Sequence, residues 1–104
     1  MSTRESALEK KLVAYGKKLG LLCYKFTSPG HPGVPDRLFI RPEGKVLFLE
    51  IKAPGKKPEA LQIREMNAFR THTSFVGWVD NQQSGVDVLS YFMKTGQVHP
   101  SLNV

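Results

Sequence analysis

The chain has a single cysteine and no long run of apolar residues, and each absence excludes a class of protein. Cys23 alone cannot form an intramolecular disulfide, which is typical of proteins in a reducing compartment. No segment approaches the ~20 apolar residues that a membrane-spanning helix needs, and the charged first residues do not resemble a secretory signal peptide. We therefore expect a cytoplasmic protein without a membrane segment, in which Cys23 is a small core residue rather than a catalytic thiol.

Acidic residues are also scarce in this chain. Nine Asp and Glu stand against 15 Lys and Arg, so the 104 residues carry a formal net charge of +6, and the pI is about 9.7. This excess of positive charge favours a polyanionic partner, with nucleic acid first. The hydrophobic fraction of 40% and the charged fraction of 23% are ordinary for a globular protein. We expect one domain over residues 1–104.

Apolar periodicity and turn residues predict seven elements. Helices are predicted over 3–19, 58–71 and 86–95, and strands over 21–26, 37–41, 45–51 and 74–79. Ser2 and Glu5 form a capping-box pattern before the first helix, and Pro58 fits the first position of the second. The order α-β-β-β-α-β-α predicts an α/β fold with a mixed central sheet flanked by helices. Residues 97–104 are predicted to form an extra strand or an interface segment.

A predicted hairpin brings two carboxylates together. Pro42-Glu43-Gly44 reads as the turn between two strands. If residue 41 faces residue 45, the same register places Asp36 opposite Glu50. Opposed side chains lie ~5 Å apart at Cβ, and two carboxylates this close repel each other. A divalent cation would remove the repulsion, and two hard oxygen ligands suit Mg²⁺ or Mn²⁺.

Lys52 completes the pattern, because it lies two residues after Glu50 and points to the same face of its strand. Such a lysine can orient an attacking water and stabilise the developing phosphate charge. The Glu-x-Lys triplet also occurs at 9–11 and 43–45, which read as helix and turn. Only the triplet at 50–52 ends a strand that is apolar on both faces. The alternative is a solvated strand end with a cross-strand ion pair.

Two further side chains are candidates for the same site. Glu9 falls within the apolar arc of the first helix, where it is either a third acid directed at the metal site or a flank residue whose carboxylate reaches solvent. Gln62 shares a helix face with Met66 and Phe69 and points at the sheet near the end of the Lys52 strand. It is either a buried structural amide or a site residue that holds a water or a phosphate oxygen.

Glu9, Asp36 and Glu50-Ile51-Lys52 together resemble the PD-(D/E)XK nuclease superfamily, whose core is αβββαβ, and Pro35-Asp36 supplies the "PD". More narrowly, the chain resembles a stand-alone virus-type replication-repair nuclease (VRR-NUC) domain. The residues that carry this resemblance are Lys25-Phe26, the loop 28–37, the stretch 50–55 and Leu61-Gln62. The match covers about residues 5–80, and its GVPDR and EIKAPG stretches are specific.

The resemblance implies a role for each site residue. The implied metal ligands are Asp36, Glu50, the backbone carbonyl of Ile51 and, through a water, Glu9; Lys52 is the implied catalytic lysine and Gln62 an accessory residue. Glu5 is a rival for the role of Glu9, because it lies four residues earlier on the same helix face. Mg²⁺ is the implied cofactor, and Mn²⁺ would substitute for it.

The implied activity is metal-dependent hydrolysis of phosphodiester bonds in branched DNA, such as a Holliday junction or a flap. Stand-alone family members tend to be phage-encoded homodimers, which would place this chain in the cytoplasm of a bacterial host. The third helix offers apolar residues at Val88, Leu89, Phe92 and Met93, with Tyr91 beside them, as a dimer surface or as ordinary core. The candidate contacts to the DNA backbone are Lys10, Lys11, Lys17, Lys18, Arg37, Lys56 and Lys57.

Other functions remain open at this stage. A non-catalytic nucleic-acid-binding module would share the basic face, but the complete acid–lysine set disfavours it. An exonuclease or a restriction-type nuclease could use the same scaffold, although the chain has no large insertion for reading a base sequence. A protein that blocks a partner through its charge would show no metal dependence. A histidine-based metal site is disfavoured, because His31, His72 and His99 have no ligand spacing.

Overall fold

The computed structural model describes residues 3–104 as three helices around one four-stranded sheet. The elements are α1 Thr3–Leu19, β1 Leu22–Lys25, β2 Arg37–Ile40, β3 Val46–Ile51, α2 Ala60–Arg70, β4 Val76–Val79 and α3 Gln82–Thr95. This is the predicted order, and the α/β fold class is confirmed. The predicted cap at Ser2 lies outside the described residues.

The sheet has the strand order β1-β2-β3-β4. The first two pairings are antiparallel, and β3 pairs with β4 in parallel. The parallel pairing requires a crossover, which α2 supplies. The sheet is therefore mixed, as predicted, and β3 is a central strand.

The two faces of the sheet are covered by different helices. On one face, α1 and α3 pack over a core that includes Leu12, Phe39 and Leu89, all 0% exposed. On the other face, α2 brings Phe69 against Phe48, with ring centroids 4.9 Å apart at a near-perpendicular angle. Because both faces of β3 are covered, the strand reads as a nearly continuous apolar run, and Glu50 is the exception within it.

Two helices begin elsewhere than predicted. The α2 helix begins at Ala60 with Glu59 as its N-cap, so the placement of Pro58 at the first helical position is wrong. The α3 helix begins at Gln82, four residues before the predicted start. Its N-cap is Asn81, whose side chain accepts a hydrogen bond from Ser84 N at 2.8 Å, which satisfies a donor of the first turn.

The C-terminal end of α3 is held by the turn of the β2–β3 hairpin. Arg41 Nη2 donates to the carbonyl of Met93 at 3.1 Å, and Lys45 Nζ donates to the carbonyl of Gly96 at 3.0 Å. These carbonyls have no partner within the helix, and two cations here also complement the helix dipole.

The segment after α3 covers the outer edge of β4 without forming a strand. Asn103 and Trp78 exchange two backbone hydrogen bonds of 3.0 Å as an isolated antiparallel bridge. Leu102 beside it is 5% exposed and belongs to the core. The predicted extra strand does not form, and this segment pairs with β4 at one residue pair only.

The apolar residues of α3 are core residues, so ordinary core is the correct one of the two alternatives for this helix, and the dimer surface is not. Val88, Leu89 and Phe92 are at most 1% exposed, and Met93 packs against the same cluster. Only Tyr91 presents a substantial surface, with 39% of it exposed. None of the helices within residues 3–104 is long and apolar enough to cross a bilayer.

Candidate active site

The hairpin register is the one that the turn predicted. Ile40 pairs with Val46 and Arg37 with Leu49, and the turn is closed by a hydrogen bond from Gly44 N to Arg41 O of 2.8 Å. One residue beyond the last pair, Asp36 stands opposite Glu50. The backbone N–H of Asp36 donates to Glu50 Oε1 at 3.1 Å, which brings the two acidic residues together at the end of β3.

Glu50 is an ionisable group in a buried position. The residue is 3% exposed, and Lys52 Nζ lies 3.5 Å from its Oε2. The pKa of the Glu50 carboxyl is raised to about 7, chiefly because the group is buried and also because of the charge of Asp36, while Lys52 acts in the opposite direction. A carboxylate that is costly to ionise here is stabilised by any cation placed between it and Asp36.

Gln62 joins the site from α2. Its Nε2 donates to Glu50 Oε2 at 3.2 Å, and its Oε1 accepts from the backbone N–H of Glu59 at 2.9 Å. The side chain therefore orients Glu50 and satisfies a backbone donor at the start of its own helix. The sequence pattern placed Gln62 at this point, and Glu50 is its partner on β3.

Glu9 forms an ion pair with Arg37, a contact that the family pattern does not imply. Its carboxylate is buried, with 6% of the residue exposed, and Oε2 accepts from Arg37 Nε at 2.6 Å. Among residues 3–104, no group of three or more His, Cys, Asp or Glu is placed to hold a metal ion. Glu9 thus anchors the residue that follows Asp36, and a role through water stays a prediction for it and for the half-buried Glu5.

The loop before Asp36 is held at both of its ends. Phe26 N donates to Asp36 O at 2.7 Å, and Pro35 is fully buried. Gly33 has φ +95°, and a Cβ at this position would lie 2.9 Å from the backbone oxygen of Leu61. The close approach requires glycine and packs the loop against α2, so the position of Asp36 is set by contacts on both sides.

The basic residues predicted to contact DNA divide into two groups. The first group is exposed and available to a partner: Lys10, Lys11, Lys17 and Lys18 on α1, and Lys56 and Lys57 in the loop before α2. Arg37 is only 20% exposed at its side chain and is paired with Glu9, so its guanidinium already has a partner inside the protein.

One residue beside the site was not predicted. Trp78 on β4 is the parallel neighbour of Glu50 on β3, so both side chains are on the α2 face of the sheet. The signal in the sequence was the lone tryptophan within a short predicted strand, but only the strand pairing shows that it lies next to the acid pair.

A known protein resembles this chain in sequence, and a solved structure resembles it in fold. No family model matches the chain. The chain is 55% identical over 62 residues to "Putative nuclease p44" of Acyrthosiphon pisum secondary endosymbiont phage 1, a match that covers 60% of this chain and 67% of that protein. A solved structure described as "VRR_NUC domain" superposes with a TM-score of 0.76 at 28% identity, over 92% of this chain and 100% of that one.

The chain belongs to the VRR-NUC family. It is therefore a nuclease of phage type on an α/β nuclease core. In this VRR-NUC protein, Asp36, Glu50, Lys52 and Gln62 meet where β3 ends and α2 begins.

Proposed function

We propose that this chain is a divalent-metal-dependent endonuclease that hydrolyses phosphodiester bonds in branched DNA, such as a Holliday junction or a flap. The observation that carries the proposal is the pairing of Asp36 with a buried Glu50, whose carboxylate lies 3.5 Å from Lys52. A buried carboxylate next to a second, half-buried acid costs stability unless the pair serves a ligand. The whole of residues 1–104 would act as one domain.

The donor set at this site fits Mg²⁺, with Mn²⁺ as a substitute. Asp36 and Glu50 supply hard carboxylate oxygens, and the carbonyl of Ile51 would be a third ligand. Mg²⁺ in nucleic-acid enzymes is often held by one or two carboxylates together with water and substrate phosphate. A site without a third acid is therefore sufficient. The ion would supply positive charge at the scissile phosphate and lower the pKa of the attacking water.

The protein's own residues have separate tasks in this proposal. Lys52 orients the attacking water and adds positive charge where the phosphate becomes more negative. Gln62 holds Glu50 Oε2, so that Glu50 Oε1 keeps its fixed position against Asp36. Glu9, through its ion pair with Arg37, fixes the start of β2. The exposed lysines 10, 11, 56 and 57 would contact the sugar-phosphate backbone, which positions the DNA without reading its sequence.

A homodimer would present two such sites to one branched DNA. The surface that supports it is the outer edge of β1, which carries Leu22 and Tyr24 at 55% and 56% exposure. An edge strand with exposed apolar side chains is suited to pairing with a second copy. The enzyme would act in the cytoplasm of the bacterial host of a phage.

The test is cleavage of a labelled panel made of a four-way junction, a flap, a plain duplex and a single strand, each with Mg²⁺, Mn²⁺ or EDTA. We expect metal-dependent cutting of the branched substrates that is lost in Asp36→Ala and in Lys52→Ala, both of which still bind DNA. Asp87→Ala is the matched acid control, because Asp87 lies on α3, on the opposite face of the sheet. Cutting that persists in EDTA, or in Lys52→Ala, would overturn the proposal.

A further inference from the structure

A narrow groove runs along the side of α2 that faces β4. Its floor and walls include the apolar groups of Trp78, Met66 and Ile63, and its polar lining comes from Lys57, Asn67 and Arg70. Its volume is about 170 Å³. Pockets for drug-sized ligands measure ~300–1,000 Å³, so this groove is suited to a single flat ring system.

Trp78 links the groove to the acid pair. Trp78 is the register neighbour of Glu50 on the adjacent strand, and neighbouring strands lie ~4.8 Å apart. Lys57, which lines the groove, is in the loop that connects Lys52 to α2. A chain bound across Glu50 and Lys52 can therefore place its next residue in the groove.

The chemistry of the lining is that of a nucleotide site. The flat indole of Trp78 can stack on a base, as aromatic side chains do in proteins that bind single strands. Lys57 and Arg70 are cations, and among the described residues no Asp or Glu lines the groove. Arg70 Nη1 is held by Asn67 Oδ1 at 2.7 Å, while its buried Nε has no hydrogen-bond partner within residues 3–104.

We propose that this groove binds an unpaired nucleobase of the DNA strand next to the cleavage site, stacked on Trp78, with the adjoining phosphates held by Lys57 and Arg70. The inference rests on the proposed function, because it assumes that this face of the sheet contacts DNA. Binding of an unpaired base would explain why the enzyme prefers branched DNA. A continuous duplex keeps its bases stacked, whereas a flap or an open junction offers a base at no unpairing cost.

Binding in this groove can be followed by intrinsic tryptophan fluorescence, because Trp78 is the only tryptophan of the chain. The protein in EDTA is titrated with short oligothymidine and, separately, with a blunt duplex, and both tryptophan fluorescence and the anisotropy of labelled DNA are recorded. We expect oligothymidine to quench the fluorescence and the duplex to leave it largely unchanged.

Variants separate the groove from general charge attraction. Trp78→Leu should weaken oligothymidine binding by about tenfold, and the bridge to Asn103 should persist because it uses backbone atoms. Arg70→Ala should lower the slope of log affinity against log salt by about one. Arg64→Ala is the control, since Arg64 is exposed on the same helix and does not line the groove. Oligothymidine should quench the Trp78 fluorescence of this variant as much as that of the parent protein.

The outcomes distinguish the two proposals. DNA binding with unchanged tryptophan fluorescence overturns the groove site, and so does equal quenching by the duplex, whether or not the chain cuts branched DNA. Quenching by oligothymidine that Arg70→Ala weakens and Arg64→Ala does not supports the groove. If that result occurs without metal-dependent cleavage, the groove stands as a nucleic-acid site and the nuclease proposal fails.

Discussion

Gln62 Nε2 donates a hydrogen bond of 3.2 Å to Glu50 Oε2, while the same amide accepts one from the backbone N–H of Glu59. One side chain thus joins the end of β3 to the start of α2. Because both partners of the amide are fixed, the orientation of the Glu50 carboxylate depends on where α2 begins.

Gln62→Ala should impair cleavage without unfolding the protein. The substitution leaves Glu50 Oε2 with Lys52 as its remaining partner, and groups that orient a metal ligand are typically worth ~10–100-fold in metal affinity or activity. We expect the rate constant of the cleavage step to decrease by a factor in that range. Single-turnover cleavage at saturating Mg²⁺ measures it, and Arg64→Ala on the same helix is the control. Full activity in Gln62→Ala would show that Glu50 needs no such support.

The metal-free protein should lose stability as the pH rises. The pKa of Glu50 is about 7 in the folded protein against an ordinary 4.5, so between these values the folded state keeps a proton that the unfolded chain has released. The free energy of unfolding then falls with rising pH, by about 3 kcal/mol in all for this group.

Glu50→Gln should remove this loss of stability, because glutamine does not titrate. Urea unfolding in EDTA at several pH values across the interval measures the slope for both proteins. Added Mg²⁺ should restore stability to the parent above pH ~7 and have little effect on the variant. Parallel slopes for the two proteins would mean that Glu50 does not titrate as the buried geometry requires.

Glu9→Ala should destabilise the fold by about 3 kcal/mol, because it leaves the mostly buried guanidinium of Arg37 without its partner. The matched comparison is Glu43→Ala, which removes the partner of Arg41 at a position that is 51% exposed. Exposed ion pairs contribute ~0–1 kcal/mol. Urea unfolding measures the free energy of unfolding of both variants. Equal decreases in the two variants would contradict a structural role for the Glu9–Arg37 pair.

Two glycines of the loop before Asp36 form a matched pair for testing how that residue is placed. Gly30 and Gly33 have φ of +82° and +95°, but only at Gly33 would a Cβ collide with the backbone of Leu61. Both alanine variants carry the backbone strain of ~1–2 kcal/mol, and Gly33→Ala must also displace the loop. We expect cleavage to fall further in Gly33→Ala than in Gly30→Ala. Equal activities would show that the loop can move without moving Asp36.

The hairpin was predictable because its information is local. A turn that contains Pro and Gly lies between two apolar strands. Counting residues outward from this turn along both strands gives the register that places Asp36 opposite Glu50, and the structure confirms this register. Gln62 was placed by helical periodicity in the same way. The start of α3 was not predictable from apolar periodicity, because Asn81 caps a first turn of polar residues.

The features that were missed depend on contacts between distant parts of the chain. The partner of Glu9 is Arg37, which helix periodicity cannot show, and Trp78 comes beside Glu50 only through the parallel pairing of β3 with β4. The sequence left the apolar face of α3 open between a dimer surface and ordinary core, because the area of sheet available to cover it could not be judged before the sheet was known.

Arg41 and Lys45 have a consequence beyond capping α3. A slip of one residue between β2 and β3 would turn Glu50 to the opposite face, and it would also shift one of these cations away from the carbonyl of Met93 or Gly96. The correctly paired hairpin is thus the one that fits the docked helix. The α3 helix supplies no group to the acid pair, yet through these two contacts it favours the strand alignment that places Glu50 opposite Asp36.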